Sequence, residues 1–389
     1  MSEWVEKMQD QMNKTNRSYD SFARELDMPK STLTDFFRYH KEISMLSVYK
    51  MANTLFNEDR VINEKCCIEV FSKYERNIKI NMKRLFVLSY LNGYNSILEY
   101  LINMTSKHKD SYVKKYSPLI SLFYERSKGG NPKKHILMVE EIRKSIPEKE
   151  NLDMEIISDI FYLLSVGDIG DFGMFDTYRN RIYQNISVHK NQDLKWLYKY
   201  WIDDIWSYSL LRRLRIVEFN EYNSQLRSYG YLKYFPVMEA TIDLRKGESL
   251  IFTDYKQSYK HSLRAMNIFK NQSVIKYKIA LNNINFLKLV NKEAVETIDL
   301  DTLHPAELAL YFIINNEKKR AIDILLEILD ENKKLSPIQY CYLGQAKMDL
   351  KMIADSKQMF IENGDYFFAQ YAARVYCEYK EMLEYGGVK

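Results

Sequence analysis

Apolar residues along this chain recur every three or four positions rather than every second one, which predicts helices throughout. In Arg17 to Phe56, "RSYDSFARELDMPKSTLTDFFRYHKEISMLSVYKMANTLF", Phe22, Ala23 and Leu26 make one inward stripe and Leu33, Phe36 and Phe37 a second. Leu46, Tyr49, Met51, Ala52 and Leu55 make a third, set against the first two. Ser18 suits an N-cap, Asp27 to Pro29 form a short turn, and a new helix starts near Lys30. Ala23 lies where the two short helices would cross, so they can approach closely.

Two short helices joined by a tight turn are the layout of a helix-turn-helix, whose second helix lays its N-terminal side chains against base edges in the major groove. The outward set is Lys30, Ser31, Thr32, Thr34, Asp35 and Arg38. Arg38 has the fork for guanine, the hydroxyls suit phosphates or bases, and Asp35 can accept from cytosine N4. Hairpins of this kind also occur as plain core in helical proteins. Here the pattern extends over four helical segments at the N-terminus, and residues 17–56 resemble the helix-turn-helix of Xre-type phage repressors, so DNA binding is the expected reading of residues 1–56.

From about residue 57 to 389 the pattern is of stacked helix pairs. In "PIQYCYLGQAKMDLKMIADSKQMFIENGD", Tyr340, Leu343, Gly344, Lys347, Ser356, Phe360 and Asn363 fall on tetratricopeptide positions. "PAELALYFIINNEKKRAIDILLEIL" repeats the register with Leu308, Ala309, Phe312, Ala321, Leu325 and Ile328. Ala309 and Gly344 stand 344 − 309 = 35 residues apart, close to a period of about 34. Such pairs cannot bury their apolar faces alone, so they stack into a solenoid with a concave inner surface. Roughly seven to nine pairs are expected from the usual repeat length.

Composition sharpens this picture. Gly at 12 and Pro at 7 of 389 residues leave few turns, and 46% hydrophobic content supplies a sizeable core. The expected fold is all-α, an N-terminal helix-turn-helix followed by a tetratricopeptide-like right-handed α-solenoid. Cys66, Cys67, Cys341 and Cys377 include no CxxC, which argues against a disulfide framework or a zinc site. "MSEWVEKMQD" carries acids where a signal peptide has bases, and no uninterrupted apolar run approaches the length of a membrane span, so a cytoplasmic protein is expected.

Net charge is only +5, and residues 1–56 are neutral, with Lys or Arg at 7, 14, 17, 24, 30, 38, 41 and 50 against Asp or Glu at 3, 6, 10, 20, 25, 27, 35 and 42. A neutral module gains little from phosphate attraction. Help could come from a second copy in a dimer, or from the basic segments 73–84 and 106–115, which otherwise read as solvated helix faces.

No catalytic residue, metal ligand or cofactor is expected. The six histidines (40, 108, 135, 189, 261, 304) show no ligand spacing. "GDIGDFG" at 167–173 follows a helix and reads as an inter-helix loop rather than a nucleotide cradle. Asp203 and Asp204 are adjacent and diverge on a helix. In "KIALNNINFLKLV", by contrast, Asn282, Asn283 and Asn285 crowd an apolar helix although Asn is a poor helix former. An amide both donates and accepts, so on a concave face it can hold the backbone of an extended peptide, while on the outer face it merely meets water. Asp365, at a helix start beside Phe367 and Phe368, is either an N-cap or the partner of a ligand's base.

A helix-turn-helix on a tetratricopeptide solenoid is the architecture of the RRNPP peptide-pheromone receptors. Within them the chain resembles the arbitrium receptors of Bacillus temperate phages through "YLLSVGDIGDF", "GESLIFTDYKQSYKHSLRAM", "IALNNINFL", "FIINNEKKRAIDIL" and "NGDYFFAQYAA", collinear over nearly the full length. The resemblance implies a homodimer that binds double-stranded promoter DNA and biases a phage toward lysis. A secreted peptide of about six residues then binds the solenoid and switches that activity off. It implies peptide contacts at Asn282, Asn283, Tyr342, Asp365 and Phe367, with Asp365 meeting a basic peptide residue. Peptide binding is expected over about 200–370. Dimerisation is expected over about 366–389, where Phe367, Phe368, Tyr371, Val375, Tyr376 and Leu383 offer apolar surface. The chain departs from the pattern at Arg212, Arg213 and Arg215, where spaced asparagines are expected, and at Glu248, which replaces a neutral amide in a Gly-x-Ser turn. A peptide of different charge would follow. A chromosomal RRNPP regulator, or a solenoid scaffold that binds proteins and not DNA, are the alternatives.

Overall fold

The computed structural model describes residues 3–56, 59–146 and 151–385. Every regular element among them is helical, as the three-to-four period requires. Four helices open the chain: α1 (Glu3–Lys14), α2 (Tyr19–Glu25), α3 (Lys30–Phe37) and α4 (Met45–Leu55). Ser18 caps α2 reciprocally, its Oγ accepting from Ser21 N at 3.1 Å while Ser21 Oγ accepts from Ser18 N at 2.9 Å. Phe22, Ala23, Leu26, Leu33, Phe36 and Phe37 are all buried. The expected stripes therefore form the bundle's core, and α2, the turn and α3 make the helix-turn-helix.

α5 (Arg60–Phe71) and α6 (Ile78–Asn92) follow, and the chain then winds through helical hairpins to the last helix, Tyr366–Tyr385. The tetratricopeptide register holds where it is clearest. In the hairpin of Pro337–Lys347 and Leu350–Glu362, a Cβ on Gly344 would lie 2.9 Å from Ile353 Cγ1 and 3.0 Å from Ile353 N. Ser356 Oγ donates to Pro337 O at 2.7 Å, and Phe360 is buried. In the hairpin before it, Ala309, Ala321 and Leu325 are fully enclosed.

Two main cores run through the molecule, and they do not divide at residues 56 and 57. One extends from Val5 through α1–α6 to Ile242 and takes in Phe367 of the last helix, and the other draws on residues from Ile251 to Val375. Sequence periodicity marks where each helix buries a face but not which neighbour covers it. The N-terminal helices are thus built onto the solenoid rather than tethered to it.

The superhelix is also closed across its middle. α6 meets helices Gln192–Arg212 and Pro236–Ser249, and Gln192–Arg212 in turn meets Tyr366–Tyr385. "GDIGDFG" does supply the loop after helix Leu152–Asp168, and it joins in this closure: Phe172 N donates to Asn363 O at 3.0 Å and the Phe172 ring is buried.

Candidate functional site

The outward face of α3 is available. Lys30, Ser31 and Arg38 are exposed, and Thr32, Thr34 and Asp35 are half-buried. Several of these side chains are held locally. Thr34 Oγ1 donates to Lys30 O at 3.2 Å, Asp35 pairs with Lys41 at 2.9 Å, and the Arg38 guanidinium lies 5.6 Å from the Tyr19 ring centroid. The basic segment 73–84 adds less free charge than its sequence suggests. Lys83 Nζ meets Asp153 at 2.5 Å inside the molecule, and Arg84 meets Asp193 at 2.9 Å.

Behind α3 the solenoid grips the turn. Segment 231–235, before helix Pro236–Ser249, brings Lys233 to Asp27 at 2.8 Å, and the Tyr234 hydroxyl donates to Glu25 O with Asp27 Oδ2 3.2 Å away. Lys50, on α4, is buried with its Nζ 3.5 Å from the Tyr231 ring centroid and 3.3 Å from Leu26 O. That burial pushes its pKa down to about 8. Asn53 Nδ2 donates to Tyr234 O at 3.0 Å. These contacts fix α2–α4 while leaving the outer face of α3 open.

A second site lies in the interior groove, where polar residues stand at helical spacing on neighbouring helices. Gln192–Arg212 contributes Asp204, Tyr208 and Arg212, and Pro236–Ser249 contributes Thr241, Arg245 and Glu248. Val274–Asn291 contributes Lys276 and Asn283. Spacings of four and seven or eight put each set on one face of its helix. Arg212 Nε donates to Asp365 Oδ1 at 3.0 Å and its Nη2 to Oδ2, across 365 − 212 = 153 residues. Arg212 Nη1 donates to Tyr208 Oη at 2.5 Å. Burial works against the Arg212 charge, but Tyr208 and Asp365 outweigh it and raise its pKa. Asn283 Nδ2 donates to Glu248 Oε1 at 3.0 Å, and Arg245 Nη1 to Glu248 Oε2 at 2.9 Å. Burial raises the Asp204 pKa and lowers that of Lys276 to about 8.

The residues singled out for peptide contact separate into two kinds. Asn283 and Asp365 lie in this groove with the partners given, and Asp365 Oδ1 also accepts from Phe368 N at 3.3 Å as an N-cap. Asn282 is half-buried on the same helix. Tyr342 and Phe367 are inside the core, Tyr342 edge-on to Tyr371 with an unpartnered hydroxyl, and Phe367 against Phe252. Asn285 is buried as well, its Nδ2 without a partner. Tyr208, Arg245 and Lys276 escaped notice in the sequence, although the i, i+4 spacing of Asp204, Tyr208 and Arg212 was there to be read.

Three other expectations change. The Gly-x-Ser segment is not a turn but the last helical turn of Pro236–Ser249, where Ser258 Oγ donates to Gly247 O at 2.8 Å. Arg213 and Arg215 point away from the groove, to Asp176 and Glu218. On the last helix, Phe367, Tyr371 and Val375 are buried within the chain itself and Phe368 and Tyr376 are half-buried, which leaves Tyr366, Met382 and Leu383 exposed. Residues 386–389 of the expected dimerisation segment lie outside the described residues.

A surface cavity of about 520 Å³ lies apart from the groove, lined by Asp193, Trp196, Lys199 and Tyr229 among others. Its charged groups are already paired, Lys199 with Asp203 at 2.9 Å and Asp193 with Arg84, so it offers a ligand little. No group of three or more His, Cys, Asp or Glu stands where it could hold a metal ion, and no helix is long and apolar enough to cross a membrane, among the described residues.

A helix-turn-helix built onto a closed α-solenoid with a polar interior groove defines a class of fold. Within that class the chain belongs to the AimR transcriptional regulator-like family, whose model matches residues 64–374. It is 26% identical to an uncharacterised protein of Bacillus anthracis, pXO2-35, over 238 residues, which is 60% of this chain and 86% of that one. Its fold is similar to that of phAimR with a ligand, with a TM-score of 0.72 and 16% identity, covering 88% of this chain and 98% of that one. Selenomethionine phAimR is similar at a TM-score of 0.62 and 16% identity, covering 98% and 97%.

Proposed function

We propose that this chain is a peptide-responsive, DNA-binding transcription regulator of the arbitrium type, acting as a homodimer in the cytoplasm of a bacterial host and controlling a phage's choice between lysis and lysogeny. Residues 1–56 read promoter DNA. Arg38, Ser31 and Thr32 reach bases or phosphates, Lys30 and Thr34 the backbone, and Asp35 a cytosine edge. The solenoid, 57–389, holds a peptide of about six residues in the interior groove. Asn282 and Asn283 make contacts there, Asp365 takes part through its hold on Arg212, and Tyr342 and Phe367 back the groove from the core. Residues from about 366 onward pair the two copies, with Met382 and Leu383 as the exposed apolar contacts.

One observation carries the reading: the outer face of α3 is open while the turn before it is held by Lys233 and Tyr234 of the solenoid. A ligand that shifts the solenoid therefore shifts the reading helices. Two half-sites fix the separation of two recognition helices, so a small change of spacing is enough to lose the operator. The test is operator binding by Arg38→Ala/Thr34→Ala, which is expected to abolish a specific gel shift while the circular dichroism spectrum stays unchanged. Unaltered binding would assign the protein to the scaffold class instead.

A further inference from the structure

We propose that the groove of this chain selects a ligand presenting a carboxylate, docked on the spare donors of Arg212 and Arg245, and discriminates against one presenting only a base. This rests on the peptide-receptor reading above and adds the charge of the ligand to it.

The argument starts from hydrogen-bond capacity. A guanidinium has five N–H groups. Arg212 uses three, through Nε and Nη2 to Asp365 and Nη1 to Tyr208, and two remain. Arg245 gives one to Glu248, and its Nε has no partner. The two guanidiniums stand 5.4 and 3.8 Å from the Tyr208 ring centroid, so their spare donors serve one stretch of groove.

The carboxylates there are in the opposite condition. Both Asp365 oxygens accept from Arg212 and one also from Phe368 N, while Glu248 accepts from Arg245 on one oxygen and Asn283 on the other. A ligand cation arriving at Asp365 must first evict Arg212 and strand a buried guanidinium without its partner, the costly way to break such a pair. A ligand carboxylate can bind the free N–H groups and displace nothing, with two parallel bonds where the fork allows. Lys276 adds to the bias, since its Nζ bonds only the neutral acceptors Thr241 Oγ1 at 2.8 Å and Leu91 O at 3.4 Å. Asp204, whose Oδ1 lacks a hydrogen-bond partner, lies beside Arg245 and Lys276, eight residues before Arg212 on the same helix. That is about 12 Å along the axis from Arg212, and the charges of Arg245 and Lys276 both act on it, so one uncommitted acid faces two cations there.

The test uses the full chain and amidated hexapeptide pools in which one position at a time is fixed as Asp, Asn or Arg, ranked by competition binding and native mass spectrometry. Amidation removes the terminal carboxylate, so any charge preference comes from the fixed residue. At one position the Asp pool is expected to bind about tenfold tighter than the Asn pool, with the Arg pools weaker still. Arg212→Gln should reverse the order in favour of Arg, because Asp365 is then open. Since that variant leaves a buried acid unpaired, Arg212→Lys serves as the second: it keeps the charge, lacks the second edge of the fork, and should lose most of the Asp preference. Arg pools ranking first on the unaltered chain, or Asp and Asn pools binding equally, would overturn the proposal and leave the receptor reading standing. Binding by no pool to any of the three proteins would overturn both.

Discussion

Asp153 lies under three donors. Lys83 Nζ is 2.5 Å from its Oδ2, and His189 Nε2 and the Tyr198 hydroxyl are 2.9 and 2.8 Å from its Oδ1. Burial alone would raise its pKa, but the His189 bond and the Lys83 charge outweigh burial and hold it at about 2, below the ordinary 3.8. A folded-state pKa below the unfolded one gives stability that is present above pH 3.8 and lost as pH falls toward 2. The contribution is about 2 kcal/mol. Urea denaturation of the unaltered chain and Asp153→Asn should therefore show a stability gap that narrows by about that amount between pH 5 and pH 2. A gap that stays constant would mean that the carboxylate is not held in this way. None of this cluster was legible in the sequence. Lys83 is one of several lysines in a segment that reads as solvated, and its acid comes from a helix 153 − 83 = 70 residues away.

At the scale of elements, what the sequence disclosed was local. The Ser18 cap, the α2–α3 stripes and the tight crossing at Gly344 depend on residues within one hairpin, so spacing alone revealed them. Gly344→Ala is expected to cost about 1–3 kcal/mol, because the added methyl meets Ile353 at both side chain and backbone. A urea midpoint that is unchanged or higher, as helix propensity alone would favour, would show that the hairpin yields there. The grip on α2 and its turn is the opposite case, since Tyr234 meets Glu25 and Asp27 across more than 200 residues. Removing its hydroxyl with Tyr234→Phe should lower the protection of residues 19–37 in amide hydrogen exchange, by about 0.5–1.5 kcal/mol of local opening free energy, with little change in global stability. Equal protection in both proteins would place the rigidity of α2 and α3 elsewhere.

At the scale of the whole molecule, helix Gln192–Arg212 connects the two sites. Its first turn carries Asp193, which accepts from Ser44 at the start of α4, and its last carries Arg212, paired with Asp365. A ligand that alters the Arg212 end can thereby bias the seating of the N-terminal bundle. Coupling of this kind is reciprocal: a peptide that weakens DNA binding tenfold, about 1.4 kcal/mol, is itself bound tenfold less tightly by the DNA-bound form. Neither the closed superhelix nor the continuous core under α1–α6 can be inferred from repeat spacing, which says that helices stack but not that the stack closes.

The central claim is a regulator whose hold on DNA is released by a peptide. It is tested most directly by a gel-shift titration of the full chain against the DNA upstream of its own gene, with and without synthetic peptides cut from the C-terminus of the adjacent short reading frame. A discrete shift, lost in Arg38→Ala/Thr34→Ala and reversed by one peptide at micromolar concentration or below, is the expected result. The absence of any shift at low salt, with or without peptide, would contradict the account and reduce α3 to an ordinary helix of the core.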